Sequence, residues 1–160
     1  MKRLKSLLIA GLVAGFSAVV LPLTAAPAGA QPLVTCSNYG CDGWDPSQSG
    51  CSASASTPVP ARQIYDHANR HLGQIELRYS STCRTVWARV TNYISDAGNG
   101  FITRTDGAQE ACGISSWSTT MGGYSCYTPM LYDGGVTSFA LGEDYDPYDG
   151  IWYTQTTGSY

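Results

Sequence analysis

Four side chains within Gly73–Arg89 (GQIELRYSSTCRTVWAR) have the types to do chemistry together: Glu76, Arg78, Trp87 and Arg89. Arginine forks bind carboxylate or phosphate, and a tryptophan plane stacks on cations or sugars. The plainer alternative is a cross-strand salt bridge with a cation–π contact that orders a sheet, because opposed charges across strands are common and contribute only about 0.2–1 kcal/mol. Asp42 and Asp45, in the segment CDGWDP, are the expected partners of these arginines, which would tie the N-terminal part of the chain to this stretch. Trp44, in a turn between Gly43 and Asp45, is the ring most expected to lie exposed.

Other constellations are weaker. Glu143, Asp144, Asp146 and Asp149 crowd the segment GEDYDPYDG, and hard cations want several oxygens from one turn. Counted from Asp144, however, Gln155 stands where an EF-hand needs its bidentate glutamate, so a solvated acidic loop is expected. His67 and His71 are the two histidines; an H-x-x-x-H pair on a helix needs a third ligand, nothing resembling H-E-x-x-H surrounds them, and polar turn residues are expected. No G-x-S-x-G occurs to mark a nucleophile. Glycoside cleavage by paired carboxylates is tested by distance alone, and Glu76 with Glu110 is the first pair to measure. No cofactor or metal is called for by any motif.

The elements that must position these residues read as strands. Gln74 to Tyr79 alternates, with Ile75, Leu77 and Tyr79 on one side and Gln74, Glu76 and Arg78 on the other; Val86, Ala88 and Val90 continue the apolar set. A four-residue loop at Ser80–Cys83 predicts Leu77 opposite Val86, Ile75 opposite Ala88 and Glu76 opposite Trp87. Val59 to Leu72 has a helix-like start at Pro60 and a stop at Gly73 but a thin apolar stripe, so a strand entering a turn is preferred over a helix. Beyond the hairpin, turn dipeptides at Asn99-Gly100, Asp106-Gly107, Gly122-Gly123, Gly134-Gly135 and Asp149-Gly150 separate β-like runs. These runs are Thr91–Ile94, Phe101–Arg104, Ala111–Trp117, Ser125–Tyr132, Val136–Leu141 and Ile151–Thr156. The predicted class is mostly β, a small antiparallel sandwich or barrel. Trp117 and Trp152, each inside a strand-like run, are expected to pack into its core.

Length and charge narrow the function. Residues 1–30 read as a signal peptide, with Lys2, Arg3 and Lys5, an apolar run from Leu7 to Leu23, and the small residues Ala28-Gly29-Ala30 before Gln31. The remaining residues, 31–160, fit a single secreted domain, with 31–60 a cysteine-rich loop arm and 61–160 the sheet core. Both lysines lie in the leader, so residues 31–160 hold six arginines against twelve acidic residues, a net charge of −6. Nucleic acid and anionic membrane are poor partners for such a surface.

Cys36, Cys41, Cys51, Cys83, Cys112 and Cys126 all follow the leader, and an even count in an exported chain reads as three disulfides rather than zinc ligands. Cys112 with Cys126 is the simplest local closure, and the other four allow three pairings. A bond from Cys83 to Cys36, Cys41 or Cys51 would hold the arm against the hairpin.

The pieces Cys41-Asp42-Gly43, Asp45-Pro46, Gly50-Cys51, Glu76-Leu77-Arg78-Tyr79-Ser80, Cys83 and Trp87-Ala88-Arg89 together resemble the YjfA-like family of secreted bacterial proteins of unknown function. A looser likeness runs through Tyr127 to Gly142. The resemblance implies an exported actinobacterial or Gram-positive protein and carries no activity with it. Two departures are a tryptophan at Trp44, where a basic residue is expected, and Cys112 with Cys126, which look like an addition to a four-cysteine core.

The expectation is a non-catalytic extracellular module that contacts another extracellular protein or the cell envelope. A carbohydrate-binding protein using exposed aromatics is the alternative, and a small wall-active hydrolase is a third reading.

Overall fold

A computed structural model describes residues 34–160, so the predicted leader and the start of the arm lie outside the described residues. The strands, in chain order, are β1 (Ala55–Ser56), β2 (Arg62–Tyr65), β3 (His71–Ser80), β4 (Thr85–Asn92), β5 (Gly98–Arg104) and β6 (Gln109–Gly113). They continue as β7 (Ser116–Ser118), β8 (Gly123–Tyr127), β9 (Leu131–Tyr132), β10 (Ser138–Asp146) and β11 (Ile151–Thr156). Two antiparallel sheets result. One runs β1-β3-β4-β8-β7, with β2 also pairing β3 and β9 also pairing β4; the other runs β11-β10-β5-β6. They pack as a sandwich, not a closed barrel.

The alternation in the central hairpin sets which residues are inside. Ile75, Leu77, Val86, Ala88 and Val90 are fully buried and meet Ile102 and Ala140 of the facing sheet, with Ile114 and Leu131 completing the core. The pairing differs from the predicted one by two residues: Leu77 lies opposite Ala88 and Ile75 opposite Val90. The loop is Ser81–Arg84, closed by Ser80 opposite Thr85. Arg84 takes a left-handed φ of 55° and donates its N–H to the Ser80 carbonyl at 2.8 Å, while the Cys83 N–H reaches Ser80 Oγ at 3.2 Å. A two-residue offset preserves both faces but changes every cross-strand partner.

Pro60 to Leu72 is strand, turn and strand, with β2 paired to β3 around Asp66–Asn69. Other boundaries differ from expectation as well, β5 starting at Gly98 and β10 running from Ser138 to Asp146. Thr91 and Asn92 belong to β4 itself; Ala111–Trp117 is divided between β6 and β7; Ser125–Tyr132 is interrupted at Thr128 and Pro129, where proline cannot donate to a ladder.

Asn99-Gly100 is no turn: both residues lie in β5. Gly98, Gly100, Ile102 and Arg104 point inward, and on β10 so do Ser138, Ala140, Gly142, Asp144 and Asp146. This small inner surface lets the sheets approach closely. A Cβ on Gly142 would lie 2.8 Å from the Ile75 Cβ, and one on Gly100 would lie 3.1 Å from a Val90 methyl.

The predicted acidic loop is therefore the end of a strand, with alternate carboxylates turned into the protein. Asp144 and Asp146 are buried; only Asp149 is in the exposed turn. Trp117 and Trp152 are also not core residues. They sit on the short edge strand β7 and the edge strand β11, about half exposed, with one ring packed edge-on against Tyr124 and the other tilted against Tyr145.

The arm is pinned by Cys36–Cys41 and Cys51–Cys83, and Cys112–Cys126 joins β6 to β8 across the sandwich. Cys41, Cys51 and Cys83 pack with Trp87 and Met130 into a second small core on the outer face of the hairpin. A buried arginine adds a polar anchor. Arg104 Nη1 donates to Asp42 Oδ2 at 2.8 Å and to the Tyr132 carbonyl at 3.0 Å, and Asp42 Oδ1 accepts the Tyr132 N–H at 2.6 Å.

Candidate functional site

The polar face of β3 and β4 carries Glu76, Arg78, Trp87 and Arg89, with Glu76 directly opposite Arg89 and Arg78 directly opposite Trp87. Arg89 forms a fork on Glu76, Nε to Oε2 at 2.6 Å and Nη2 to Oε1 at 2.9 Å. Arg78 Nη1 reaches the same Oε1 at 3.5 Å and also donates to Thr57 Oγ1. Two guanidinium groups thus share one carboxylate that is only 7% exposed. Burial, and then the neighbouring Arg89 charge, pull the Arg78 guanidinium below the usual arginine range.

The other ion pairs among the described residues have the opposite stoichiometry. Arg70 contacts both Asp66 and Asp146, and Arg104 contacts both Asp42 and Asp106. Each of those arginines is outnumbered by carboxylates; on the hairpin face the carboxylate is outnumbered. This face is a local cationic spot on an acidic protein.

Asp42 and Asp45 do not pair with Arg78 and Arg89 as expected. Asp42 is committed to Arg104, because Arg104 enters the interior and needs a counter-charge there. Asp45 caps its own turn, accepting the Ser47 and Gln48 N–H groups at 2.7 and 2.9 Å. The arm is docked by the Cys51–Cys83 disulfide and by packing on Trp87.

That packing leaves Trp87 only 4% exposed, so it offers an edge rather than a stacking platform. A cleft of about 270 Å³ remains between arm residues Ser47 and Ser52 and the group Arg78, Trp87, Arg89 and Tyr127. A second cleft of about 430 Å³ begins at the same Arg89 and Tyr127 and runs past Ser125 to Ser116, Ser118 and Thr120. Tyr127 is 44% exposed, stands opposite Arg89 in the β4–β8 ladder, and donates its hydroxyl to Asp45 Oδ2 at 3.4 Å. Burial and the Asp45 charge raise its phenol above the ordinary tyrosine range.

Trp44 is 47% exposed, as expected for its turn, but lines neither cleft. Glu76 and Glu110 also line neither. Glu110 is on β6, in the other sheet, with a carboxylate oxygen 3.6 Å from where a Gly43 Cβ would be. Glu76, held by two arginines, has no free oxygen comparable to that of a general acid.

The two histidines occupy separate structural roles. His67 Nδ1 meets the Tyr153 hydroxyl at 3.0 Å in an exposed turn; His71, which lies in β3 rather than in a turn, bonds the Gly73 carbonyl through Nε2 at 2.9 Å. Among the described residues, the one group of potential metal ligands close enough to share an ion is Cys36, Cys41 and Cys51, and all three are in disulfides.

A different surface lies on the outside of the four-stranded sheet, where Phe101, Phe139 and Leu141 stand half-buried around a cleft of about 370 Å³. Its one charged lining residue is Glu143.

Tyr127 and Arg104 were not singled out by sequence reasoning. Arg104 carried a signal, since it falls on the inward phase of the alternating run Gly98–Arg104 and so requires a buried partner. Tyr127 had only its phase: Cys126 bonds inward to Cys112, so Ser125 and Tyr127 must face outward.

A family model described as "Protein of unknown function (DUF2690)" matches residues 39–141. The chain is 36% identical to the uncharacterized protein YjfA of Bacillus subtilis (strain 168), in an alignment that covers the full length of both. No solved structure matches.

Proposed function

The chain belongs to the DUF2690 family of proteins of unknown function, and from that premise we propose that it is an exported, non-catalytic binding module. In this reading residues 1–30 are a cleaved leader, residues 31–160 are one domain, and the outer face of the larger sheet contacts the cell envelope or an extracellular partner. The observation that carries it is the pair of clefts meeting at Arg89 and Tyr127, whose walls hold Arg78 and Arg89 and no carboxylate. Three disulfides support an oxidising compartment, and no helix among the described residues is long and apolar enough to cross a membrane. The engagement of Glu76 by both arginines supports a binding role over a hydrolytic one.

The test is fractionation followed by cosedimentation. The protein is expected in the medium with Gln31 at its N-terminus, and purified protein is expected to sediment with isolated envelopes without releasing soluble sugar. Retention inside the cell, or release of reducing ends, would overturn this reading.

Carbohydrate binding through Trp44 is a second reading, supported by the 47% exposure of that ring. Pull-down on chitin, cellulose and peptidoglycan tests it, and Trp44→Ala is expected to abolish any retention that depends on that ring.

A further inference from the structure

We infer that the two clefts form one groove for a short glycan segment bearing a single oxyanion, a carboxylate or phosphate, seated against Arg78 and Arg89. The inference rests on the reading above that this sheet face is a binding surface, and adds the ligand's chemistry.

The charge argument comes first. Glu76 offsets one of the two guanidinium groups. Asp45, whose Oδ2 accepts the Tyr127 hydroxyl at 3.4 Å, flanks the junction without an ion pair to either arginine, so the walls of the groove present Arg78 and Arg89 and no carboxylate. Arg89 already spends its Nε and Nη2 on Glu76, and Arg78 spends Nη1, so the remaining guanidinium N–H groups are those offered to a ligand. A planar carboxylate or a phosphate presents several acceptor oxygens to such donors. The net charge of −6 over residues 31–160 works against a densely charged polyanion, since long-range repulsion would oppose its approach. One anionic group on an otherwise neutral chain meets both conditions.

The shape argument identifies the neutral part. The groove crosses the strands in the order β3, β4, β8, β7, three inter-strand steps of about 4.8 Å or roughly 14 Å in all. Along it Arg78, Arg89 and Tyr127 are followed by the hydroxyls of Ser125, Ser116 and Ser118, and register places Tyr127 beside Arg89 and Ser116 beside Ser125 on the same outer face. An exposed tyrosine ring offers a stacking surface with a polar tip, and the Ser116 and Ser118 hydroxyls can exchange hydrogen bonds with a polyol, while that of Ser125 donates to the Val90 carbonyl at 2.8 Å. Arg89 and Tyr127 alone would also suit a protein partner; the row of serine hydroxyls beyond them favours a polyol.

The experiment titrates the intact secreted protein with four probes, followed by calorimetry. These are a trisaccharide with one terminal glucuronic acid, the same trisaccharide with one phosphate ester instead, its neutral all-glucose counterpart, and a neutral tripeptide ending in a free carboxylate. Binding of either charged sugar at least tenfold tighter than both the neutral sugar and the peptide is expected, and the stronger of the two identifies the oxyanion. Arg89→Gln should lose at least tenfold, and Tyr127→Ala, on the surface, should lose sugar binding while the fold remains. Arg62→Gln, at an exposed arginine outside the groove, should change nothing. Equal binding of the neutral sugar, preference for the tripeptide, no binding of any probe, or insensitivity to both groove variants would overturn the inference. Envelope cosedimentation surviving in Arg89→Gln and Tyr127→Ala would overturn the groove alone and leave the binding-module reading standing.

Discussion

Glu76 and Arg89 face each other across β3 and β4 and join through two hydrogen bonds of 2.6 and 2.9 Å, with Arg78 leaning on the same carboxylate from the neighbouring position. One carboxylate therefore keeps two guanidinium groups side by side, which their mutual repulsion would otherwise oppose.

Replacing Glu76 by Gln keeps the shape and removes the charge. Because Glu76 is nearly buried while Arg89 keeps about a quarter of its side chain in water, the loss should be about 2 kcal/mol, below the 3–5 kcal/mol of a fully buried pair. Urea unfolding measures it. The same variant frees both guanidinium groups from Glu76 and makes the cleft more positive by one charge, so affinity for the charged trisaccharide should rise while stability falls. A purely structural salt bridge predicts the loss of stability without the gain in affinity.

The outer face shows how much was legible in the chain. Period-two alternation correctly sorted Glu76, Arg78, Trp87 and Arg89 to one face and Ile75, Leu77, Val86, Ala88 and Val90 to the other. Parity says nothing about which pair closes the loop; that was decided by the left-handed Arg84 and by a Cys83 that must reach Cys51. Docking of the arm on the hairpin was legible as one of the pairings open to Cys83; how fully it covers Trp87 was not, because burial of that ring depends on Met130 and the packed disulfide together. Asn99-Gly100 read as a turn since glycine serves both turns and close backbone approach, and only the facing sheet distinguishes them. In Gly142–Asp146 the sum of acidic residues suggested a loop, whereas their alternation, with Leu141, Glu143 and Tyr145 outward, was the better guide.

The Cys51–Cys83 disulfide spans 32 residues of chain and joins the arm to the hairpin. Constraining a loop of that length should stabilise by about 4 kcal/mol in the chain-entropy account. Cys51→Ala with Cys83→Ala should therefore lower the urea midpoint. It should also shift Trp87 emission to longer wavelength as the arm lifts and water reaches the ring. Charged-sugar binding should weaken too, since Ser47 and Ser52 form one wall of the first cleft.

Gly73 and Gly142 are needed because the sheets touch through backbone there. A methyl on Gly142 would press on Ile75, and one on Gly73 would collide with the Asp144 carboxylate and the Thr91 carbonyl. Gly142→Ala should destabilise by about 1–3 kcal/mol through overpacking. Gly73→Ala should cost more, since backbone gives way less readily than a side chain. Thermal melts of the two variants, with Gly158→Ala as a control at a glycine with nothing near it, check the order.

Asp144 makes the fold sensitive to alkali. Its carboxyl is fully buried on the inner face of β10, neither oxygen has a hydrogen-bond partner, and burial pushes its pKa up from 3.8 to about 8. A raised folded-state value means that the native protein holds this proton after the unfolded chain has released it. Stability from this group should therefore be greatest below pH 4, fall steadily from about pH 4 to about pH 8, and level off above that. The total fall is on the order of 5 kcal/mol at most. Asp133, whose carboxyl is also raised by burial although Ser138 donates to it at 2.6 Å, adds a smaller slope of the same sign. Asp144→Asn keeps the volume and cannot ionise, so its urea midpoint should change between pH 5 and pH 8 only as far as Asp133 and the surface groups require, and should exceed that of the parent at pH 8. Equal pH slopes for the two proteins would show that Asp144 finds a partner or water when it ionises.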